Sequence, residues 1–150
     1  GTSHGEQVGI ATISISKFQN AILKKDQPPI IGPTIIPEKE IVQKLGEPML
    51  ETIKKAMEPK YFDQKKAETT NEYFAKHWLE FVEPLREKML DYDIIWNSMG
   101  ECGALRTPED AKLDSNFYKD ALKYGRFIRD RYTILDLAGD SNQLDSLINV

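Results

Sequence analysis

The chain has one cysteine, Cys102, and two histidines, His4 and His77, in 150 residues. One cysteine excludes an intramolecular disulfide and any cysteine-rich zinc site, and it suits a reducing compartment. The histidines do not form a His-Glu-x-x-His pair, so that compact helical metal motif is missing. There is no Gly-x-Gly-x-x-Gly and no Gly-x-x-x-x-Gly-Lys-Ser/Thr. The chain therefore carries neither glycine-rich phosphate signature, and by itself it is not expected to bind a dinucleotide. No apolar run approaches the ~18 residues that span a bilayer. The first 15 residues lack Lys and Arg, and Ser, Thr and Gly break their apolar stretch, so no signal peptide is read. A basic excess is lacking as well. Lys and Arg total 20 against 24 Asp and Glu, a net charge of −4. Nucleic acid and anionic membranes reward a basic surface, so neither is expected as a partner. A cytoplasmic location is expected.

What is present is core material. Hydrophobic residues make up 40% of the chain and charged residues 29%. The length suits one ordinary domain, 1–150, with enough apolar surface to bury ~70% of what the unfolded chain exposes. The chain starts with Gly1 and not Met, which suggests a processed or truncated chain.

The periodicity is helical. In residues 5–25, Val8, Ala11, Thr12, Ile15, Phe18, Ala21 and Ile22 recur at three- and four-residue steps. Residues 26–37 hold four prolines, one glycine and four isoleucines, an extended connector lying on the protein. Pro37 suits a first helical residue, and Glu38 and Glu40 favour the first turn. Ile41, Val42 and Leu45 follow as an apolar stripe, with Gly46 as the stop. Pro48 can open the next helix, with Met49, Leu50, Ile53 and Met57 inward and Pro59 at its end. Residues 69–90 read as a long amphipathic helix with Phe74, Trp78, Phe81, Val82, Leu85 and Met89 inward, kinked at Pro84. Residues 92–99 form a further helical segment. Thr107-Pro108-Glu109-Asp110 carries a helix-cap pattern. Ser115 can cap a helix reaching about Tyr132, with Phe117, Ala121, Leu122 and Ile128 inward. Thr133 to Ala138 adds a turn stopped by Gly139. The fold class expected is all-α, a bundle of about seven or eight helices.

Three groups of residues invite a chemical reading. His77 lies beside a buried stripe and reads as a partly exposed helix histidine. His4 precedes Gly5 at a helix start, where a side chain can reach past the helix end, but one histidine does not make a metal site. Lys119, Lys123, Arg126, Arg129 and Arg131 cluster with Tyr124 and Tyr132. Two arginines three residues apart on one helix face could fork onto a phosphate, and they would equally suit a solvated helix C-terminus. Asp130 and Asp136 could also pair with them. Cys102 reads as an inert thiol.

Two stretches carry more than periodicity. His4-Gly5-Glu6-Gln7-Val8-Gly9-Ile10-Ala11-Thr12 resembles a helix start in the iron-dependent alcohol dehydrogenase and dehydroquinate synthase superfamily. The segment from Phe117 to Ala138, with Arg131-Tyr132-Thr133 and Leu135-Asp136-Leu137-Ala138, resembles the C-terminal end of bacterial members of the sn-glycerol-1-phosphate dehydrogenase family. The resemblance implies that the chain is the C-terminal helical half of such an enzyme, cut close to the active site at Gly1. Its N-terminal dinucleotide-binding half would be a separate partner. His4 then supplies the last histidine ligand of a divalent metal ion (Zn, Ni or Fe). NAD or NADP is bound mainly by the other half. The implied reaction interconverts glycerol 1-phosphate and dihydroxyacetone phosphate, a step of phospholipid metabolism. Arg126, Arg129 and Arg131 become candidates for the substrate phosphate. The fragment alone is expected to be inactive, to bind metal weakly and to self-associate as a homo-oligomer. Alternatives are another superfamily member, such as a glycerol dehydrogenase or a dehydroquinate synthase-like lyase, or a non-catalytic helical interaction module.

Overall fold

The structure is a computed structural model describing residues 3–149. The start at Gly1 lies outside them. The described residues form eight α-helices and one 3-10 turn, with no strand. The fold is all-α, as the periodicity predicts. No described helix is long and apolar enough to cross a membrane. The contacts fall into two compact units, Gly1–Pro29 with Tyr73–Ala121 and Ile30–Glu72 with Leu122–Val150.

In the first unit, α1 (His4–Leu23) opens on a reciprocal cap. Ser3 accepts from the Glu6 backbone N–H, and Glu6 accepts from the Ser3 N–H at 2.6 Å. The predicted face is buried in the second half of the helix, at Phe18 and Ile22, and not in the first. Ile10, Ile13, Phe18 and Ile22 are buried, whereas Val8 is 48% exposed and the Thr12 hydroxyl turns back to the Val8 carbonyl. The helix is apolar on several sides, so periodicity alone could not choose its buried stripe. Helix α5 (Tyr92–Glu101) packs against α1. Gly9 makes this approach close: a Cβ there would stand 2.6 Å from the Met99 side chain.

The last carbonyls of α1 need partners. Arg86 Nε donates to the Leu23 carbonyl at 2.6 Å, and both Arg86 Nη2 and Trp78 Nε1 donate to the Lys25 carbonyl at 2.8 Å. Arg86 and Trp78 lie on α4 (Gln64–Arg86), which contains Pro84 in its last turn. Phe74, Trp78 and Val82 are buried as expected. Phe81 and Leu85 are about 40% exposed, so the inward stripe is narrower than the pattern suggested.

The Thr107–Asp110 pattern forms its cap without a helix. Asp110 accepts from the Arg106 and Thr107 N–H groups, and Thr107 accepts from the Asp110 N–H. The chain then turns, with Lys112 in the left-handed region at φ 54°. Helix α6 (Ser115–Gly125) follows, and its first-turn cap is Asp114, accepting from the Phe117 N–H at 2.8 Å.

In the second unit, side chains pin the proline-rich connector. The Asn71 amide accepts from the Ile31 N–H and donates to the Ile31 carbonyl, in the manner of a neighbouring strand. Thr34 donates its N–H to the Phe62 carbonyl and accepts from the Phe62 N–H on its hydroxyl. Ile31 and Thr34 point inward, while Ile30 and Ile35 are 80% and 77% exposed. Helices α2 (Glu38–Leu45) and α3 (Glu47–Met57) meet at Gly46, whose φ of 85° needs glycine. Pro37 precedes the first helical residue as its cap. The core joins Ile41, Leu50, Ile53 and Met57 to Tyr124 and Phe127. Pro59 lies in the 3-10 turn Glu58–Lys60 that ends α3.

The chain beyond α6 corrects another expectation. The helix stops at Gly125 and not near Tyr132. Glycine weakens the helix there, and Phe127 turns into the core at 3% exposure. Ile128 and Phe117, both expected inward, are 64% and 66% exposed. Thr133 caps α7 (Ile134–Asp140) through a reciprocal pair with Asp136, and α8 (Leu144–Ile148) packs against it. Gly139 lies inside α7 and does not end it.

Candidate functional site

His4 stands in the first turn of α1 and is exposed. Its imidazole makes no hydrogen bond or ion pair with the described residues. Gly5 beside it has open space where a Cβ would be. Glu6 belongs to the cap, and the Ser3 N–H holds its carboxyl below the usual carboxylate range. Next to this turn lies a depression of about 660 Å³. Glu6 and Gln7 form one side of it, and Leu105, Asp110, Lys112 and Leu113 the other. Asp110 is likewise held below its usual range by the N–H groups of Arg106 and Thr107. Two ionised carboxylates thus flank the depression. Among the described residues no group of three or more His, Cys, Asp or Glu could hold a metal ion.

The arginines do not form the shared helical face expected of them. Arg126, Arg129 and Arg131 all lie beyond the end of α6. Arg126 is 5% exposed, and its Nη2 donates to Asp140 Oδ1 at 2.5 Å. Arg129 and Arg131 are exposed. With the helix ended at Gly125 and Arg126 paired to Asp140, the helical face on which the fork is expected is not formed.

What surrounds Arg126 is a buried charge network. Lys60, which no sequence pattern singles out, is 4% exposed. It donates to the Arg126 carbonyl, to the Arg131 carbonyl at 3.3 Å and to Asp136 Oδ1 at 2.7 Å. Asp136 is fully buried, and its second oxygen accepts from the N–H and hydroxyl of Thr133. Tyr132 donates its hydroxyl to Asp140 at 3.1 Å. Burial of that hydroxyl, and then the Asp140 charge, pushes the phenol far above its ordinary range. Two cations and two anions balance here, which is the condition for keeping buried charges. The network ties the segment after α6 to α7 and to the end of α3. Asp136 is an acceptor that the sequence itself places close to the arginines. Lys60 and Asp140 carried no local signal.

The remaining candidates are plain. His77 lies half-buried on α4, stacked on Tyr73 at 4.8 Å and paired with Glu80 at 3.1 Å. Cys102 is exposed at the end of α5. Comparison with known protein families, curated proteins and solved structures gives no match.

Proposed function

We propose that this chain is the helical, metal- and substrate-facing half of an NAD(P)-dependent oxidoreductase resembling sn-glycerol-1-phosphate dehydrogenase. The observation that carries this reading is His4. An imidazole that makes no hydrogen bond or ion pair with the described residues stands exposed in the first turn of a 20-residue helix whose buried residues begin at Ile10. A histidine kept only for packing would be covered or hydrogen-bonded. Glu6 and Gln7, two and three residues further along the same helix, line a depression of about 660 Å³, a volume that suits a small substrate.

In this role His4 would give one neutral imidazole nitrogen to a divalent ion. When bound, the ion supplies Lewis acidity toward the substrate hydroxyl. The Ser3–Glu6 cap fixes the turn that carries His4, so the imidazole is presented from a rigid element. A dinucleotide-binding half would supply the nicotinamide and the other ligands. Arg129 and Arg131 are exposed, whereas Arg126 is paired with Asp140.

The test is His4→Ala in a protein joining this chain to its dinucleotide-binding half. Glycerol 1-phosphate oxidation should fall by more than the ~10–100-fold that losing an outer-shell metal partner costs. Metal content should fall with it, and the melting temperature should not. Unchanged activity and metal content would overturn the assignment.

A further inference from the structure

A small pocket in the second unit has a ligand chemistry of its own, independent of the reading of His4. Its volume is about 180 Å³. Ile35, Phe127 and Leu144 give it apolar walls, and Arg126, Asn142 and Asp145 give it polar ones. Arg126 is the informative residue. Its guanidinium is more than nine-tenths buried, yet its donors are only partly used. Nη2 donates to Asp140. Nε is buried without a hydrogen-bond partner, although Asp136 Oδ1 lies 3.5 Å away. Nη1 makes no hydrogen bond with the described residues. A Cβ at Gly139 would stand 1.4 Å from Nη1, so the guanidinium rests on the bare backbone of a residue that itself lines the pocket. Nε is closed off against Asp136, so Nη1, at the pocket-lining Gly139, is the donor left for a ligand.

The charges around the pocket select what that partner is. Lys60 and Arg126 are balanced by Asp136 and Asp140. Lys123, also in the wall, faces Glu40 at 2.9 Å, and Asp145 further stabilises its charge. No cationic excess remains to attract an anion. A neutral molecule bearing both acceptors and donors fits better. Arg126 can donate to it, Asp145 can accept from it, and the Asn142 amide can do both. Phe127 and Leu144 can cover its C–H surface. We propose that this pocket binds a small, neutral, polyhydroxylated molecule, with one of its oxygens on the Arg126 guanidinium.

The experiment is an amide-resolved NMR titration of the 150-residue chain with erythritol and with glucose, run beside acetate and inorganic phosphate. A polyol should give saturable shifts in the millimolar range at Arg126, Gly139, Asn142 and Asp145. Asn142→Gly should weaken it about tenfold, the effect of one lost hydrogen bond to a ligand. That variant keeps the fold, because Asn142 has φ 56°, which glycine adopts freely. Asp145→Asn should weaken binding as well. Three results would overturn the proposal: no saturable shift with either polyol, polyol shifts indifferent to both substitutions, or saturation by phosphate or acetate alone.

Discussion

Asp136 holds two roles with one carboxylate. One oxygen faces Lys60, and the other accepts from the Thr133 cap of α7. Removing it would strand the Lys60 ammonium at 4% exposure and open the helix cap together. Asp136→Ala should therefore cost about 3–5 kcal/mol, the range for breaking one member of a buried ion pair. Urea unfolding would measure it, and a loss below about 1 kcal/mol would show that the network carries little. Tyr132 makes a separate prediction at alkaline pH. Its folded pKa is raised, by burial of the hydroxyl first and the Asp140 charge second. A raised value means the folded state keeps its proton while the unfolded phenol loses one near pH 10. The Tyr132 contribution is thus fully present below pH 10 and declines as pH rises above it. Tyr132→Phe should flatten the alkaline limb of a stability-versus-pH curve. An unchanged limb would mean that this hydroxyl does not titrate with unfolding. The network was legible only in part. Lys60 stands 66 residues from Arg126 and 76 from Asp136, a pairing no local pattern announces. Its stem also lies in a proline-containing turn that reads as surface.

Helices are where the sequence speaks most clearly, and their faces and ends are where it speaks least. The extents of α2 and α3 follow from Pro37, Gly46 and Pro48, each a backbone constraint independent of the rest of the fold. The face of α1 was not legible, because Val8, Ile10, Ile13 and Ile15 are equally apolar and only packing ranks them. Thr107-Pro108-Glu109-Asp110 shows that a cap can close without nucleating a helix, since the following residues enter a left-handed turn at Lys112. Gly125 was the signal for the end of α6, and the apolar residues beyond it masked it. The role proposed for His4 rests on the His-Gly-Glu resemblance, since a lone exposed histidine has no periodic signature. Two glycines test helix packing in opposite directions. Gly5→Ala adds a Cβ into open space and should gain up to about 1 kcal/mol in helix propensity. Gly139→Ala adds one 1.4 Å from Arg126 Nη1, whose side chain is held by Asp140. It should cost about 1–3 kcal/mol despite the same gain in propensity. Equal effects from thermal melts of the two variants would mean that the guanidinium moves aside freely.

For the whole molecule, the two units carry their own apolar interiors. Ile10, Phe18, Ile22, Trp78 and Val82 are buried in one, and Ile41, Ile53, Met57 and Phe127 in the other. Neither interior includes His4, and among the described residues no group of three or more His, Cys, Asp or Glu could hold a metal ion. Folding of this chain should therefore be independent of metal, in contrast to small domains whose folding energy is the binding energy of zinc. An exposed side chain without partners contributes within about 0.5 kcal/mol of stability, which at this chain length is a melting shift of roughly 2 °C or less. Chelator treatment and His4→Ala should each leave the melting temperature within that margin, in differential scanning calorimetry of the isolated chain. Zinc titration of the same chain should give only weak binding, because one imidazole is a fraction of a site. A large fall in melting temperature on chelation would place an ion inside the fold and remove His4 from its proposed role. Unchanged melting, with activity lost only when the two halves are joined and His4 is absent, would separate the folding of this chain from the chemistry proposed for it.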